Sequence, residues 1–244
     1  MSCILVNGDS FSHERHFAID ESYIEKTWAH SLGAKNIALG GCSNDRIFYS
    51  TIEYLNNNTV DVLIIGWTSF IRGWLTLSNG LHLHIVPNSS ADDLLFGHYE
   101  KEKNLQIWKE YEEFYYKKCC NEFLNFKKFC DYYLHLQDYC ELKKIKFLNF
   151  SSFQFPTNLK DIANSAYMNK STKILEEAGT KHNEKILNNL ILKFKKENWV
   201  NQEIGFSYYD LVKRKKFPLW EDGHPGLEAS KYWGELIQQH IVKY

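Results

Sequence analysis

Ser10 stands in the run Gly8-Asp9-Ser10-Phe11-Ser12, directly after the apolar residues Cys3-Ile4-Leu5-Val6-Asn7. A serine at the carboxyl end of a buried strand can open a helix. Its hydroxyl is then exposed, and its own N–H is free to stabilise an oxyanion. Gly8, two residues earlier, permits the sharp turn. The same residues also suit a plain turn in which Ser10 caps the following helix. Toward the other end, Glu221-Asp222-Gly223-His224-Pro225-Gly226 precedes a helical pattern. Pro225 fits a first helical turn and places His224 at the helix entrance. A histidine held in a loop, with a carboxylate two or three residues earlier, can act as a general base. The carboxylate fixes its tautomer and stabilises the imidazolium. Asp222 and Glu221 both stand where that carboxylate is needed, and a capping turn with surface charges is the other reading of the segment.

These residues need elements to position them. Cys3–Asn7 reads as a buried strand stopped by Gly8. Residues 21–32 read as a helix ended by Gly33. Asn36-Ile37-Ala38-Leu39 is a second strand, stopped by Gly40-Gly41. Residues 45–55 carry Ile47, Tyr49, Ile52 and Leu55 and suggest a helix. Val60-Asp61-Val62-Leu63-Ile64-Ile65 is a buried strand ended by Gly66, and Lys146–Phe150 is a fourth. Strands alternating with helices imply parallel βαβ units in an α/β sandwich. In such sheets the loops at the carboxyl ends of the strands build the site. The loops Gly8-Asp9-Ser10, Gly40-Gly41-Cys42-Ser43 and Gly66-Trp67-Thr68-Ser69 should therefore converge.

Residues 75–143 are too long for a plain crossover. Trp108, Tyr111, Tyr115, Cys119, Phe123, Phe126, Cys130 and Tyr133 recur at helical spacing there, predicting one long or two shorter amphipathic helices. Residues 171–197 and 225–242 read as further helices.

Composition narrows the function classes. The 244 residues carry 29 Lys+Arg against 30 Asp+Glu, a formal net charge of -1. That balance argues against a dominant nucleic-acid or anionic-membrane partner. The clusters Lys193–Lys196 and Lys213–Lys216 read as solvated helix faces. No apolar run is long enough to span a bilayer. The amino-terminal residues lack a basic region before their short apolar run, so no secretory signal is expected. The expected location is cytoplasmic, with the six cysteines as reduced, small apolar residues. They form no metal-binding CxxC pair. His82-Leu83-His84 puts two imidazoles on one strand face, but no third ligand has diagnostic spacing. His13 and His16, one helical turn apart, read as a solvated helix face. Arg72 could meet an anionic group of a substrate or make a surface ion pair. Trp67, Trp74 and Trp220 fall near the converging loops and could offer aromatic platforms to a sugar.

Taken in order, the segments resemble the SGNH hydrolases, the GDSL-type lipases and esterases. Gly8-Asp9-Ser10-Phe11-Ser12 is similar to their first sequence block, Asn36–Ser43 to the second, and Asp222-Gly223-His224-Pro225 to the last. Leu63–Ser69 stands where the third belongs. The stretch Gly41–Ile47 and the terminal Asp-Gly-His-Pro look most like SGNH-like proteins of phages and bacteria. The resemblance implies a three-layer α/β/α sandwich with a mostly parallel, flavodoxin-like sheet. It implies a single domain over residues 1–244, with a helical insertion at about 90–143. It makes Ser10 the nucleophile, His224 the base, and Asp222 or Glu221 its orienting carboxylate. Ser10, Gly41 and Thr68 would form the oxyanion hole. Asn44, Trp67 and Arg72 would line the substrate.

Two positions depart from the family pattern. The third block normally reads Gly-x-Asn-Asp, and its Asn donates to the oxyanion. Here Thr68 and Ser69 stand there, and losing one such donor typically costs about 10²–10³ in kcat. The last block normally reads Asp-x-x-His, whereas Asp222 is two residues from His224 and Glu221 three. The implied activity is hydrolysis of an ester, with an acyl group on a carbohydrate as one candidate. No cofactor and no metal are implied. The alternatives are a weak or inactive SGNH-like binding protein and an acyltransferase.

Overall fold

The computed structural model describes residues 3–14, 27–70, 72–76, 82–85, 110–111, 113–116, 120, 122–153, 180–220 and 223–242. Strand β1 (Ile4–Gly8) is the hub of the sheet. It pairs in parallel with β2 (Lys35–Asn36) on one side and β3 (Val62–Trp67) on the other. Strand β6 (Lys146–Ser151) adds in parallel to β3. The order β2-β1-β3-β6 places the carboxyl ends of all four strands on one edge. Beyond Asn36 the chain still follows β1, since Ile37 N–H donates to Val6 O and Leu39 N–H to Gly8 O.

Both faces of the sheet are apolar, as parallel sheets require. Leu5, Leu63, Ile65, Trp67 and Phe147 point to one core, and Val6, Val62, Ile64, Leu148 and Phe150 to the other. The first face is covered by α2 (Asn44–Asn57) and α3 (Glu122–Lys143), with α4 (Thr180–Ile191) beside them. Ser43 caps α2 by accepting from Arg46 N–H at 3.4 Å, and Ile47, Phe48, Thr51 and Leu55 form its buried stripe. On α3 the stripe is Phe126, Phe129, Cys130, Tyr133, Leu136 and Cys140, the spacing of an amphipathic helix. The second face is covered by α1 (Trp28–Ser31), α5 (Tyr208–Lys215) and α6 (Leu227–Val242).

Three features differ from the expectations. An antiparallel hairpin, β4 (Gly73–Thr76) with β5 (His82–Ile85), opens the long insertion. The fourth strand of the sheet, β6, is the last expected and the last described, but beyond it the sheet edge continues as isolated bridges that the sequence did not predict. Trp199 and Ser207 each bridge β6 once, opposite Asn149 and Ser151. One short 3₁₀ turn, Lys196–Asn198, precedes Trp199 and a second, Val200–Gln202, follows it, with Asn201 and Gln202 at positive φ. The last helix begins at Leu227, two residues after Pro225, because Pro225 is held in an antiparallel bridge to Leu219. The first part of the helix expected over residues 21–32 and of that over 171–197 lies outside the described residues. Among the described residues no helix is long and apolar enough to cross a membrane.

Candidate active site

Asp9 follows β1 and is fully buried. Its Oδ1 accepts from Ser152 Oγ at 2.7 Å and from Phe11 N–H at 3.1 Å. Its Oδ2 accepts from Thr68 Oγ1 at 2.7 Å and from Arg72 Nη1 at 3.3 Å. A carboxylate has about four acceptor sites, and here four donors fill them. They come from the loops after β1, β3 and β6. The Asp9 carbonyl accepts from the N–H groups of Ser12 and His13, both at 3.0 Å. Side chain and backbone together wind residues 9–13 into one tight turn.

Ser10 is the second residue of that turn and is almost buried. Gly8 and Gly66 are forced by the packing beneath it. A Cβ on Gly8 would stand 2.6 Å from Ser12 Oγ and 2.9 Å from the Gly66 carbonyl oxygen. A Cβ on Gly66 would stand 2.6 Å from the Phe150 ring. The second loop arrives beside the turn. Cys42 Sγ donates to Gly8 O at 3.2 Å, and Gly41 adopts φ +72, a conformation that suits glycine. Neither the Ser10 nor the Gly41 N–H is engaged by an acceptor among the described residues. Burial pushes the Cys42 thiol up to about 12, and the Asp9 charge adds to the rise, against Arg72 and Arg46.

His224 reaches the same place from the far end of the chain. Its carbonyl accepts from Trp220 N–H at 2.8 Å, Gly223 N–H donates to Trp220 O, and Gly226 N–H donates to Pro218 O. Residues 218–220 and 223–226 thus run antiparallel beside each other, with His224 paired to Trp220. The imidazole packs on the Phe11 ring at 5.4 Å between centroids. Phe11 is itself held by Phe153, Tyr208 and Tyr209, and its carbonyl accepts from Trp28 Nε1 at 2.9 Å. The residue after Ser10 is therefore the seat of the histidine.

Several expected site residues have other duties. Trp67 is almost completely buried, donates from Nε1 to Asn149 Oδ1 at 2.9 Å and meets Phe129 edge-on. It is a core residue rather than a substrate platform. Asn44 accepts from Thr68 N–H at 2.9 Å and donates to Thr68 O at 3.1 Å. Both ends of its amide are spent on clamping the β3 loop, not on a substrate. Thr68 gives its one hydroxyl proton to Asp9, so that proton is not offered to an oxyanion in this arrangement. Arg72 pairs with Asp9. Glu221, Asp222, His16 and the side chains of Trp74, His82 and His84 lie outside the described residues. Among the described residues no group of His, Cys, Asp and Glu could hold a metal ion.

Sequence reasoning missed Asp9 as the centre of the cluster, and Ser152 and Phe11 as its supports. One signal for Ser152 was present. Ser151-Ser152 is a fourth hydroxyl-rich stretch at the end of a strand.

No protein-family model matches this sequence, and no curated protein matches it either. Solved structures similar over their whole lengths include the following two. TesA superposes with a TM-score of 0.51 at 12% identity, over 99% of this chain and 98% of its own. The psychrotrophic esterase EstA from Pseudoalteromonas sp., in a structure inhibited by monoethylphosphonate, superposes with a TM-score of 0.50 at 10% identity, over 100% of this chain and 98% of its own. With a parallel sheet covered by helices on both faces and loops gathered at its carboxyl edge, the chain shares the α/β fold of these two proteins.

Proposed function

We propose that the protein is a serine ester hydrolase with Ser10 as nucleophile and His224 as base. The observation that carries the proposal is the seat of His224 on Phe11, the residue next to Ser10. His224 takes the Ser10 proton as Ser10 attacks the acyl carbonyl. The unengaged N–H groups of Ser10 and Gly41 receive the oxyanion, each aimed in advance by a fixed backbone turn. His224 then protonates the leaving alcohol, and water releases the acyl group through the same base. Asp222 or Glu221 orients the imidazole. In this scheme Thr68 acts through Asp9, by holding the carboxylate on which the nucleophile turn is wound. No step calls for a metal ion.

Intact-mass labelling with a fluorophosphonate tests the proposal. An organophosphonate suits an activated serine, and the similar esterase EstA is inhibited by one. One adduct is expected on the native protein, none on Ser10→Ala, and a slowed reaction on His224→Ala. A folded protein that takes up no adduct would reject catalysis in favour of a binding role on the same fold.

A further inference from the structure

Arg72 sits on the β3 to β4 connection, with its side chain 9% exposed. Phe153 covers one face of the guanidinium, 4.8 Å from Cζ. Its one hydrogen bond among the described residues runs from Nη1 to Asp9 Oδ2 at 3.3 Å. That is long, since charge-assisted N–H···O bonds usually measure about 2.7–2.9 Å. Asp9 has no need of a shorter one, because Thr68, Ser152 and Phe11 already donate to it. A guanidinium offers five N–H donors in a fixed fork. One is spent here, on a weak bond.

Taking a cation this far from water is costly unless its donors are used. The charges nearby do not use them. Arg72 and Arg46 both act on the Cys42 thiol as cations, against the single carboxylate of Asp9. No acceptor is described for the Arg46 guanidinium either.

We propose that Arg72 is the specificity residue of this site and binds an anionic oxygen group, a carboxylate or a phosphate, carried by the ester substrate. The proposal rests on the hydrolase reading of the same loops. The planar fork suits two oxygens of one anion. Phe153 and Asp9 fix its orientation before the substrate arrives, which lowers the entropy cost of binding.

Two matched ester pairs test it. Ethyl butyrate against monoethyl succinate asks for a carboxylate. Monobutyrin against 1-butyrylglycerol 3-phosphate asks for a phosphate. In one pair the anionic member should show a kcat/KM at least about 10-fold above the neutral one, the scale of a charged hydrogen bond. Arg72→Gln should abolish that preference, and Arg72→Lys should keep part of it. A merely structural role, through Asp9, would lower both members of a pair alike and leave their ratio intact. Equal turnover within both pairs, or a preference that survives Arg72→Gln, would overturn the proposal while leaving the hydrolase standing. Should neither fluorophosphonate nor any of the four esters react, the hydrolase reading fails, and calorimetry with succinate and inorganic phosphate decides the anion site. Binding lost in Arg72→Gln would sustain it, and no binding to either would end it.

Discussion

His224 rests its ring on that of Phe11, at 5.4 Å and 47° between planes, although nearly the whole chain separates them. Phe11 touches Phe153, Tyr208 and Tyr209 as well, so one buried ring joins the loops after β1 and β6, the start of α5 and the loop before α6. Phe11→Ala should remove this support and cost about 3–5 kcal/mol, as for other buried phenylalanines. Urea unfolding would measure it. Fluorophosphonate labelling of the still-folded variant should slow together with the loss. Unchanged labelling would mean that the ring seats the histidine no better than a cavity does.

Asp9 and Arg72 form an almost buried pair, with side chains 0% and 9% exposed. Asp9→Asn keeps the shape and removes the charge, which leaves Arg72 uncompensated. Breaking one side of such a pair typically costs about 3–5 kcal/mol. The expected result is a lower urea midpoint at an unchanged slope. A loss under about 0.5 kcal/mol, the scale of ordinary surface changes, would show that Arg72 finds another partner.

Asn44 clamps the backbone of Thr68 by two hydrogen bonds. Asn44→Ala orphans a buried N–H and should destabilise the protein by about 1–3 kcal/mol. Asn44→Asp still accepts from the Thr68 N–H but sets a carboxylate against the Thr68 carbonyl. It should fall between wild type and alanine at acid pH, where the carboxyl is protonated, and lose that advantage as the pH rises past the carboxylate range. Denaturation at pH 4 and pH 7 separates the two variants.

Thiol chemistry reports the packing of the first core. Burial drives Cys42, Cys130 and Cys140 from the ordinary 9.0 up to about 12. The nearby Asp9 carboxylate adds to the rise at Cys42, and that of Asp131 at Cys130. All three should resist iodoacetamide in the native protein at pH 8.5, while the less buried Cys3 and Cys120 react first. The sign of the pH effect on stability follows. The folded state holds these protons more tightly than the unfolded chain, so their contribution is complete below about pH 8.5. It is lost as the pH rises from there toward 12. Urea midpoints at pH 7, 9 and 10.5 should fall in that order.

Much of the frame is legible in the sequence. Val62–Ile65 and Leu5–Val6 are unbroken apolar runs because both sheet faces are covered, and the apolar spacing of α3 is plain over residues 126–140. The hairpin β4–β5 was not read from the sequence, although Asn79-Gly80, a dipeptide that marks turns, lies between Gly73–Thr76 and His82–Ile85. The partners of Asp9 are a different matter. Thr68, Arg72 and Ser152 lie 59, 63 and 143 residues away in sequence, and no local periodicity encodes a meeting at such separations. Trp67 was misplaced for a related reason. A tryptophan at a strand end looks the same in sequence whether it faces a cleft or a core, and here Asn149 and Phe129 draw it inward.

The bond from Ser152 to Asp9 also sets a clock. A ribosome adding about 5–20 residues per second takes roughly 7–30 s to pass from one residue to the other. Throughout that interval the Asp9 carboxylate lacks the Ser152 donor. The turn at residues 9–13 is thus among the first segments synthesised, yet its full set of bonds requires a residue that follows β6.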